Sequence, residues 1–318
     1  MDNKPVDVMV VNFNTAGLLQ PMFDALRRAD SERLASYLVV DNASADDSVA
    51  RMATVCPEAL LLSNKQNVGF GRANNQLLAH LQGRYALLLN TDAFVASDSL
   101  EKTLAYMDAH PECGVLGVRL EGRDGDLQPS CRYFPTPLNL FVARTGLARF
   151  FPGLQMVDEM NWDHGSVREC DWLPGCFYLV RREVLDQVGL FDPRYFLYYE
   201  EVDHCKRVKQ AGWKVMFYPH TTVVHIGGES SRSVAELEAA SRQISTYQIE
   251  SELLYLRKHH GLAGLALHMA LVCLGDLVLA LKAALKGRGW GAIKACWRHA
   301  GTTWSILSKT RYATQPTR

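Results

Sequence analysis

The sequence predicts an α/β fold: a Rossmann-like, mostly parallel sheet with helices on both faces, followed by a C-terminal helical extension. Three observations predict it. Four apolar runs, VDVMVVN (6–12), YLVVDN (37–42), ALLLS (59–63) and YALLLNTD (85–92), are separated by segments of helical character, the alternation of a doubly wound sheet with right-handed crossovers. The runs are continuously apolar, as strands covered on both faces must be. After about residue 235 the strand signals stop and the chain turns helical.

Each element has its local reason. Residues 16–29 carry Leu18, Leu19, Phe23 and Leu26 at helical spacing. SADDSVARMATV (44–55) reads as a helix with Ser44 or Asp46 as its N-cap. GRANNQLLAHLQ (71–82) is a third helix. The middle, roughly 113–180, changes character. CGVLGVRL and YLVRREVL flank a loop-rich stretch with prolines at 129, 135, 137 and 152. EVLDQVGLF predicts a short helix, 199–211 a longer one, and WKVMFYP (213–219) and TTVVHIGG (221–228) two further strands. The expected organisation is a catalytic unit over 1–235, split into halves at 1–112 and 113–235, and a helical region over 236–318.

The chain has 318 residues and a formal net charge of zero, with 48% hydrophobic residues and no low-complexity tract. The charge is unevenly placed. From Leu253 onward there are ten Lys or Arg and one acid, Asp276; the preceding part holds 24 basic and 33 acidic residues. The eight cysteines are scattered without a C-x-x-C pair, which argues against a metal or disulfide framework and for reduced thiols in the cytoplasm. The N-terminal MDNKPVDVMVV lacks the basic and apolar regions of a signal peptide.

In an open α/β sheet, ligands bind beyond the carboxyl ends of the strands. Here all four ends carry Asn or Asp: Asn12-Phe13-Asn14, Asp41-Asn42, Asn64 with Asn67-Val68-Gly69, and Asn90-Thr91-Asp92. Turn and cap propensity explains one or two such ends, and four at one edge point to a site. No G-x-G-x-x-G follows the first strand, which disfavours a dinucleotide site, and no G-x-x-x-x-G-K-[ST] occurs, which excludes a P-loop. A lone Asp92 at a strand end suits a hard divalent cation that bridges a diphosphate.

Glu200-Glu201-Val202-Asp203 is the sharpest chemical signal. Val202, Cys205 and Val208 give this segment a buried helical face, and the acids fall in its first turn. Charge–dipole stabilisation of a solvated helix start is worth only about 0.3–1 kcal/mol. It does not account for the preceding FLYY, whose Phe196, Tyr198 and Tyr199 wall off water.

The ordered set VVNFNT, VVDNASADDS, NVGFGRANN and LLLNTD resembles the nucleotide-sugar half of an inverting GT-A glycosyltransferase of family 2. The later run from WLPGCFYLV through FLYYEEVDHCKRVKQAGWKV resembles the acceptor half of its rhamnosyltransferase-like branch. The likeness spans roughly residues 5–230. It implies that Asp41 binds the imide of a uracil or thymine, with Asn12 and Phe13 near base and ribose. It makes 67–75 the loop over the donor, with Asn67, Gly69, Asn74 and Asn75 facing the nucleotide. The common family form has Arg where Asn74 stands, so the diphosphate contact passes to Arg72. Asn90-Thr91-Asp92 stands where the family has D-x-D, and Asp92 with His225 would hold Mg²⁺ or Mn²⁺. The base is the second residue of the family's acidic motif, here Glu201, with Glu200 sharing the role as the alternative and Asp203 completing the set. Trp172, Gly175 and Cys176 line the acceptor pocket, and Arg132 contacts donor phosphate or acceptor, or is a structural arginine.

The implied activity is metal-dependent, inverting transfer of a sugar, L-rhamnose from dTDP-rhamnose first, to a hydroxyl of a bacterial cell-surface or lipid-linked glycan. The alternatives are a UDP- or GDP-hexose donor, or a non-catalytic nucleotide-sugar-binding scaffold. In the tail, LAGLALHMALVCLGDLVLALKAAL (262–285) is long enough to span a bilayer, but His268 and Asp276 argue against simple spanning. Trp290, Trp297 and Trp304 recur every seven residues, with Ile293 and Leu307 on their face and Lys294 and Arg298 on the other. This suits peripheral contact with an anionic membrane through 262–308, at the cytoplasmic face of the inner membrane. The alternative is a helical subdomain that packs on the catalytic unit or forms a homo-oligomer. Nucleic-acid binding is disfavoured, because the aromatic and apolar content of the tail fits lipid better.

Overall fold

The structure, a computed structural model, describes residues 4–30, 32–227 and 234–318. The strands are β1 (Val6–Asn12), β2 (Ala35–Asp41), β3 (Leu60–Ser63), β4 (Tyr85–Asn90), β5 (Ala93–Val95), β6 (Cys113–Glu121), β7 (Leu127–Gln128), β8 (Arg168–Glu169), β9 (Phe177–Arg181) and β10 (Lys214–His225). The α-helices are α1 (Ala16–Ala29), α2 (Ser48–Val55), α3 (Phe70–Leu77), α4 (Ser99–Ala109), α5 (Pro137–Thr145), α6 (Arg182–Val188), α7 (Glu200–Gln210), α8 (Val234–Leu285), α9 (Trp290–Cys296) and α10 (Arg298–Lys309).

All the strands join one sheet in the order β3-β2-β1-β4-β9-β6-β10-β5, with β7 on β6 and β8 on β10. The four predicted strands form its parallel part. Beyond them the sheet is mixed: β9 runs antiparallel to both β4 and β6, and β10 returns parallel to β6. Side chains alternate across this sheet into two apolar clusters. Val6, Val8 and Val10 face α1, α2 and α4, whereas Met9 faces the cluster of α3, α6 and α7. Both faces are covered, which is why the strand runs lack polar alternation.

Three local readings change. The helix after β2 starts at Ser48 with Asp47 at the N-cap position, and Asp46 Oδ1 accepts from the Ser48 amide at 3.1 Å. Ser44 Oγ accepts from the Asn14 amide at 2.9 Å, and Asp46 Oδ2 from the Ala16 amide at 3.0 Å, so both also fasten the loop to the β1–α1 connection. The two strands expected over 213–228 are one strand, β10, whose register with β6 shifts between Tyr218 and Thr222, around Pro219; Gly228 lies outside the described residues. The proline-rich middle also contains a helix. Thr136 Oγ1 accepts from the Asn139 amide, Asn139 Oδ1 accepts from the Thr136 amide, and Pro137 sits in the first turn, so α5 begins with a full capping box.

The C-terminal helices pack on the sheet rather than stand apart. α8 breaks at Gly261, which has φ of +66°. Leu253, Leu254, Tyr255 and Leu256 before the break join the core cluster beneath α7, as do Leu265 and Met269 after it. Asp276, fully buried, pairs with Arg144 of α5 and accepts from the Ala300 amide of α10 at 2.9 Å. Thr246–Leu285 is long and apolar enough, by length and composition, to cross a membrane, yet Asp276 is committed to this packing.

A second anchor is Asp203 on α7. It is fully buried, with Oδ1 at 2.6 Å from both Lys258 Nζ and His259 Nε2 and Oδ2 at 2.9 Å from Arg207 Nε. Burial pushes its carboxyl up, but His259, Lys258 and Arg207 outweigh that and hold it at about 2, below the usual 3.8. A depressed carboxylate stabilises the fold above its unfolded value and loses that contribution as pH falls through about 2. We expect Asp203→Asn to lower unfolding free energy at pH 7 by about 2–3 kcal/mol, since the buried carboxylate's bonds to Lys258, His259 and Arg207 are weakened. Urea titrations at a series of pH values should show the gap to wild type narrowing by about 2 kcal/mol between pH 4 and pH 2.

Candidate active site

β1 lies between β2 and β4, so the strand order reverses at its carboxyl end, the place where an open α/β sheet leaves a crevice. Asn12 and Asp41 end paired strands in register and are buried. Asn12 Nδ2 donates to Asp41 Oδ1 at 2.8 Å and to Ser44 Oγ at 3.0 Å, and Asp41 Oδ2 accepts from the Ser44 amide at 3.0 Å. The Thr15 hydroxyl donates to Asn12 Oδ1 at 2.6 Å and lies 2.9 Å from Thr91 Oγ1. These groups therefore orient one another across β1, β2 and β4. Phe13, next in the chain, is 37% exposed and presents its ring at the mouth rather than in the core. Asn90 joins the opposite wall, its amide donating to the Cys176 carbonyl at 3.1 Å.

The glycine-containing stretch NVGFGRANN has a different partner from the one its composition suggests. Asn42 organises its start, donating to Asn67 Oδ1 at 2.9 Å and accepting from the Val68 amide at 3.0 Å. Gly69 then takes φ of +88°, and a Cβ there would stand 2.4 Å from the Phe196 carbonyl oxygen. The Phe70 amide donates to that same oxygen at 2.9 Å. A Cβ on Gly71 would meet Phe191 Cβ at 3.2 Å and Glu200 Cβ at 3.6 Å. The loop is thus the seat on which 191–200 rests. Asn75 clamps that segment by two bonds to the Phe191 backbone, of 2.7 and 3.1 Å, and Arg72 Nε donates to the Pro193 carbonyl at 2.7 Å. Asn74 is buried and donates to Phe70 O in its own helix. Arg72, Asn74 and Asn75, expected to face the nucleotide, are turned toward this packing instead.

The seated segment carries the acids. Tyr198 and Tyr199 both have positive φ, +69° and +66°, a strained arrangement for bulky residues that places α7 against the seat. Glu200 is buried and Glu201 half-buried, and each has a buried Oε2 without a hydrogen-bond partner among the described residues. Burial raises both carboxyls. Glu200 is raised further, because the Glu201 charge adds to its burial. Glu201 is relieved by its own amide, the Arg132 guanidinium and the Gly175 amide. The relief from Arg132 and the Gly175 amide falls on Glu201. Arg132 is positioned by Trp172, whose ring lies 4.1 Å from the guanidinium, and by Asp158 at 2.5 Å. Trp172 itself is buried and donates to the Tyr133 carbonyl at 2.9 Å. Gly175 packs against Phe70 of the seat, its Cβ position 3.3 Å from the ring. Asp203 does not join the glutamates. It follows Glu201 by two residues on a helix, so it faces the ion cluster with Lys258 and His259.

Across the crevice, β5 pairs antiparallel with β10 so that Ala93 opposes His225. This brings His225 Nε2 to 3.5 Å from Asp92 Oδ1. Gln128 sets the imidazole. Its Nε2 donates to the His225 carbonyl at 2.8 Å, which leaves Oε1 to accept from Nδ1 at 2.9 Å. With Nδ1 protonated, Nε2 offers a lone pair beside a carboxylate. One carboxylate and one imidazole, both partly exposed, fit a divalent cation that takes its remaining ligands from a diphosphate and water. Among the described residues no third His, Cys, Asp or Glu joins them.

The family model for Glycosyl transferase family 2 matches residues 7–189. The chain belongs to glycosyl transferase family 2. Its curated relatives include the N-acetylglucosaminyl-diphospho-decaprenol L-rhamnosyltransferase of Mycobacterium tuberculosis, 29% identical over 76% of this chain and 82% of the relative. The rhamnosyltransferase WbbL of Escherichia coli K12 is 27% identical over 52% of this chain and 63% of the relative. Among solved structures, the mannosyltransferase PcManGT of Pyrobaculum calidifontis, in complex with GDP-Man and Mn²⁺, superposes with a TM-score of 0.58 at 17% identity, covering 98% of this chain and 88% of that one. GalNAc-T7 with UDP, GalNAc and Mn²⁺ gives a TM-score of 0.54 at 14% identity, over 80% and 50% of the two chains. The fold is that of the GT-A glycosyltransferases.

In this glycosyltransferase Asn12, Phe13, Asp41, Asn90, Thr91 and Asp92 stand at or just beyond the carboxyl ends of the parallel strands β1, β2 and β4, and Glu200, Glu201, Arg132, Trp172, Gly175 and His225 come from the later half. Gln128, Asn42, Ser44 and Thr15 support them and were not singled out from sequence as site residues. Gln128 stands in QPSCRYFPTP, but only its pairing with β6 opposite β10 reveals its reach to His225. The seat makes a direct prediction. Gly69→Ala should destabilise the glycosyltransferase by at least about 2 kcal/mol, from positive φ together with the clash on Phe196 O. Chemical denaturation measures it, and Gly125→Ala, also at positive φ but with open space around its Cβ, isolates the cost of the clash.

Proposed function

We propose that this glycosyltransferase moves L-rhamnose from dTDP-rhamnose to a hydroxyl of a lipid-linked saccharide, with inversion at the anomeric carbon. The observation that carries the reading is the pair of facing groups: a half-buried Glu201 relieved by Arg132 on one side, and Asp92 with a tautomer-fixed His225 on the other. The mycobacterial relative's name supplies the sugar and the class of acceptor.

Asp41 and Asn12 present the base-recognition surface, and the exposed ring of Phe13 stacks on base or ribose. Asp92 and His225 would hold Mg²⁺ or Mn²⁺, which when bound would supply positive charge against that developing on the departing diphosphate. Glu201 accepts the acceptor hydroxyl's proton as the oxygen attacks from the face opposite the leaving group. Glu200 stands next to it, its carboxyl raised by burial and by the Glu201 charge. Trp172 and Gly175 wall the acceptor side, and Tyr198 and Tyr199 exclude bulk water. A single base and no covalent intermediate give inversion.

Calorimetry against dTDP, UDP and GDP, each with Mn²⁺ and with EDTA, tests the donor. Metal-dependent preference for dTDP is expected; preference for UDP or GDP would move the sugar to a hexose, and no binding by folded protein would leave only a scaffold. Glu201→Gln should lower kcat by about 10²–10⁴-fold while leaving dTDP binding in place. Because the base must be ionised and burial raises its carboxyl, kcat/KM should fall as pH drops through a value above the usual 4.5.

The tail supports a peripheral membrane reading. Leu267, Leu274, Leu277, Leu281 and Leu285 of α8 are exposed, as are Trp290, Trp297 and Trp304. The seven-residue spacing does not run along one helix, since α9 ends and α10 begins around Trp297, and Leu307 is buried. Exposed Lys286, Arg288, Lys294 and Arg298 flank these groups. Each adds about 1 kcal/mol at an anionic surface. The protein should co-sediment with phosphatidylglycerol vesicles, and Lys286→Glu with Arg288→Glu should release it at lower salt.

A further inference from the structure

A cavity of about 220 Å³ lies between α5, both halves of α8 and α10. Its walls include Leu140, Phe141, Leu271 and Val272. Its polar lining is Glu252 and His268, with Arg144 and His299. The His268 ring is buried, and its Nε2, 3.1 Å from Glu252 Oε1, makes no hydrogen bond among the described residues. The other oxygen of Glu252 accepts from the Tyr199 hydroxyl at 2.9 Å. Tyr199 immediately precedes Glu200 and Glu201, so the Glu252 side of the cavity is one side chain away from the segment that carries the base. Leu274, Leu277 and Leu281, one to three turns beyond Leu271 on the same helix, are 44%, 43% and 55% exposed.

We infer that this cavity is a subsite for the hydrocarbon chain of a prenyl-linked acceptor, entered from the exposed leucine face of α8 and ending beside the Glu252–Tyr199 contact. The inference rests on the lipid-linked acceptor proposed above and adds where its lipid is held. Three features select a hydrocarbon. The walls are mainly apolar, and the charged groups among them already have protein partners, Arg144 with Asp276 and Glu252 with the Tyr199 hydroxyl. The volume is below the roughly 300–1,000 Å³ that encloses a whole drug-sized ligand, so it takes one end of a longer molecule. The exposed leucines Leu274, Leu277 and Leu281 follow the lining residue Leu271 along the same helix. The His268 Nε2 is then the donor available where hydrocarbon meets polar head group.

The test uses the full chain with Mn²⁺, dTDP-L-rhamnose and two acceptors that share an N-acetylglucosaminyl diphosphate head, one on farnesol and one capped by a methyl group. Wild type should favour the farnesyl acceptor in kcat/KM by at least about tenfold, the scale of a lost apolar subsite contact. Leu271→Trp and Leu140→Trp, each filling the cavity from a different helix, should bring that ratio close to one. A general folding defect lowers both rates and leaves the ratio standing, so the ratio is the readout. An undiminished ratio in both variants, or a wild type indifferent to the prenyl chain, overturns the subsite and leaves the glycosyltransfer reading intact. Transfer to neither acceptor by wild type overturns the acceptor reading and the subsite with it.

Discussion

The geometry of the site depends on holding one strained turn. Tyr198 and Tyr199 both sit at positive φ, where a bulky residue costs on the order of 1–3 kcal/mol. Nothing within 196–200 supplies that. The glycine seat takes the Phe196 carbonyl from one side through the Phe70 amide. From the other side α8 supplies Ser251 Oγ to the Leu197 carbonyl at 2.9 Å, Glu252 to the Tyr199 hydroxyl, and Lys258 and His259 to Asp203. Glu200 and Glu201 are thereby positioned by two parts of the chain distant from them in sequence. The first half of α8 is part of the support of this turn.

Three acids in a single helical turn meet three environments. Asp203 is surrounded by cations and held well below the usual carboxylate range. Glu200 is buried beside another carboxylate and is raised well above it. Glu201 lies between, raised by burial yet relieved by Arg132 and the Gly175 amide. Environment, rather than residue type, separates the three carboxyls. The same principle operates at the far wall, where Gln128 decides which imidazole nitrogen faces Asp92.

Much of this was legible in the sequence, for reasons that can be stated residue by residue. The parallel strands announce themselves because burial on both faces demands unbroken apolar runs, and their ends follow at once, which placed Asn12, Asp41 and Asp92. Asp203 misleads because three acids look alike on paper, while helical geometry sends it away from Glu201. Arg72 and Asn75 mislead because their partners, Pro193 and Phe191, lie more than a hundred residues on. The stretch NVGFGRANN has the composition of a ligand loop, and only tertiary contact shows that its glycines make room for protein backbone. The start of α5 hides in a proline-rich stretch in which Thr136, Pro137 and Asn139 are in fact a helix cap.

The bulge in β10 has a bearing on how this chain tolerates change in length. Before Pro219 the strand keeps its register with β6 through Tyr218, and after the bulge it resumes at Thr222 opposite Arg119. The residues between have no partner on β6 and carry a register shift. Downstream there is none: Val223, Val224 and His225 are counted off against Val95, Phe94 and Ala93. Because successive side chains of a strand point to opposite faces, inserting or deleting one residue between Thr222 and His225 would turn the imidazole to the far side of the sheet from Asp92. Substitutions in that short stretch can be absorbed one side chain at a time, whereas indels cannot.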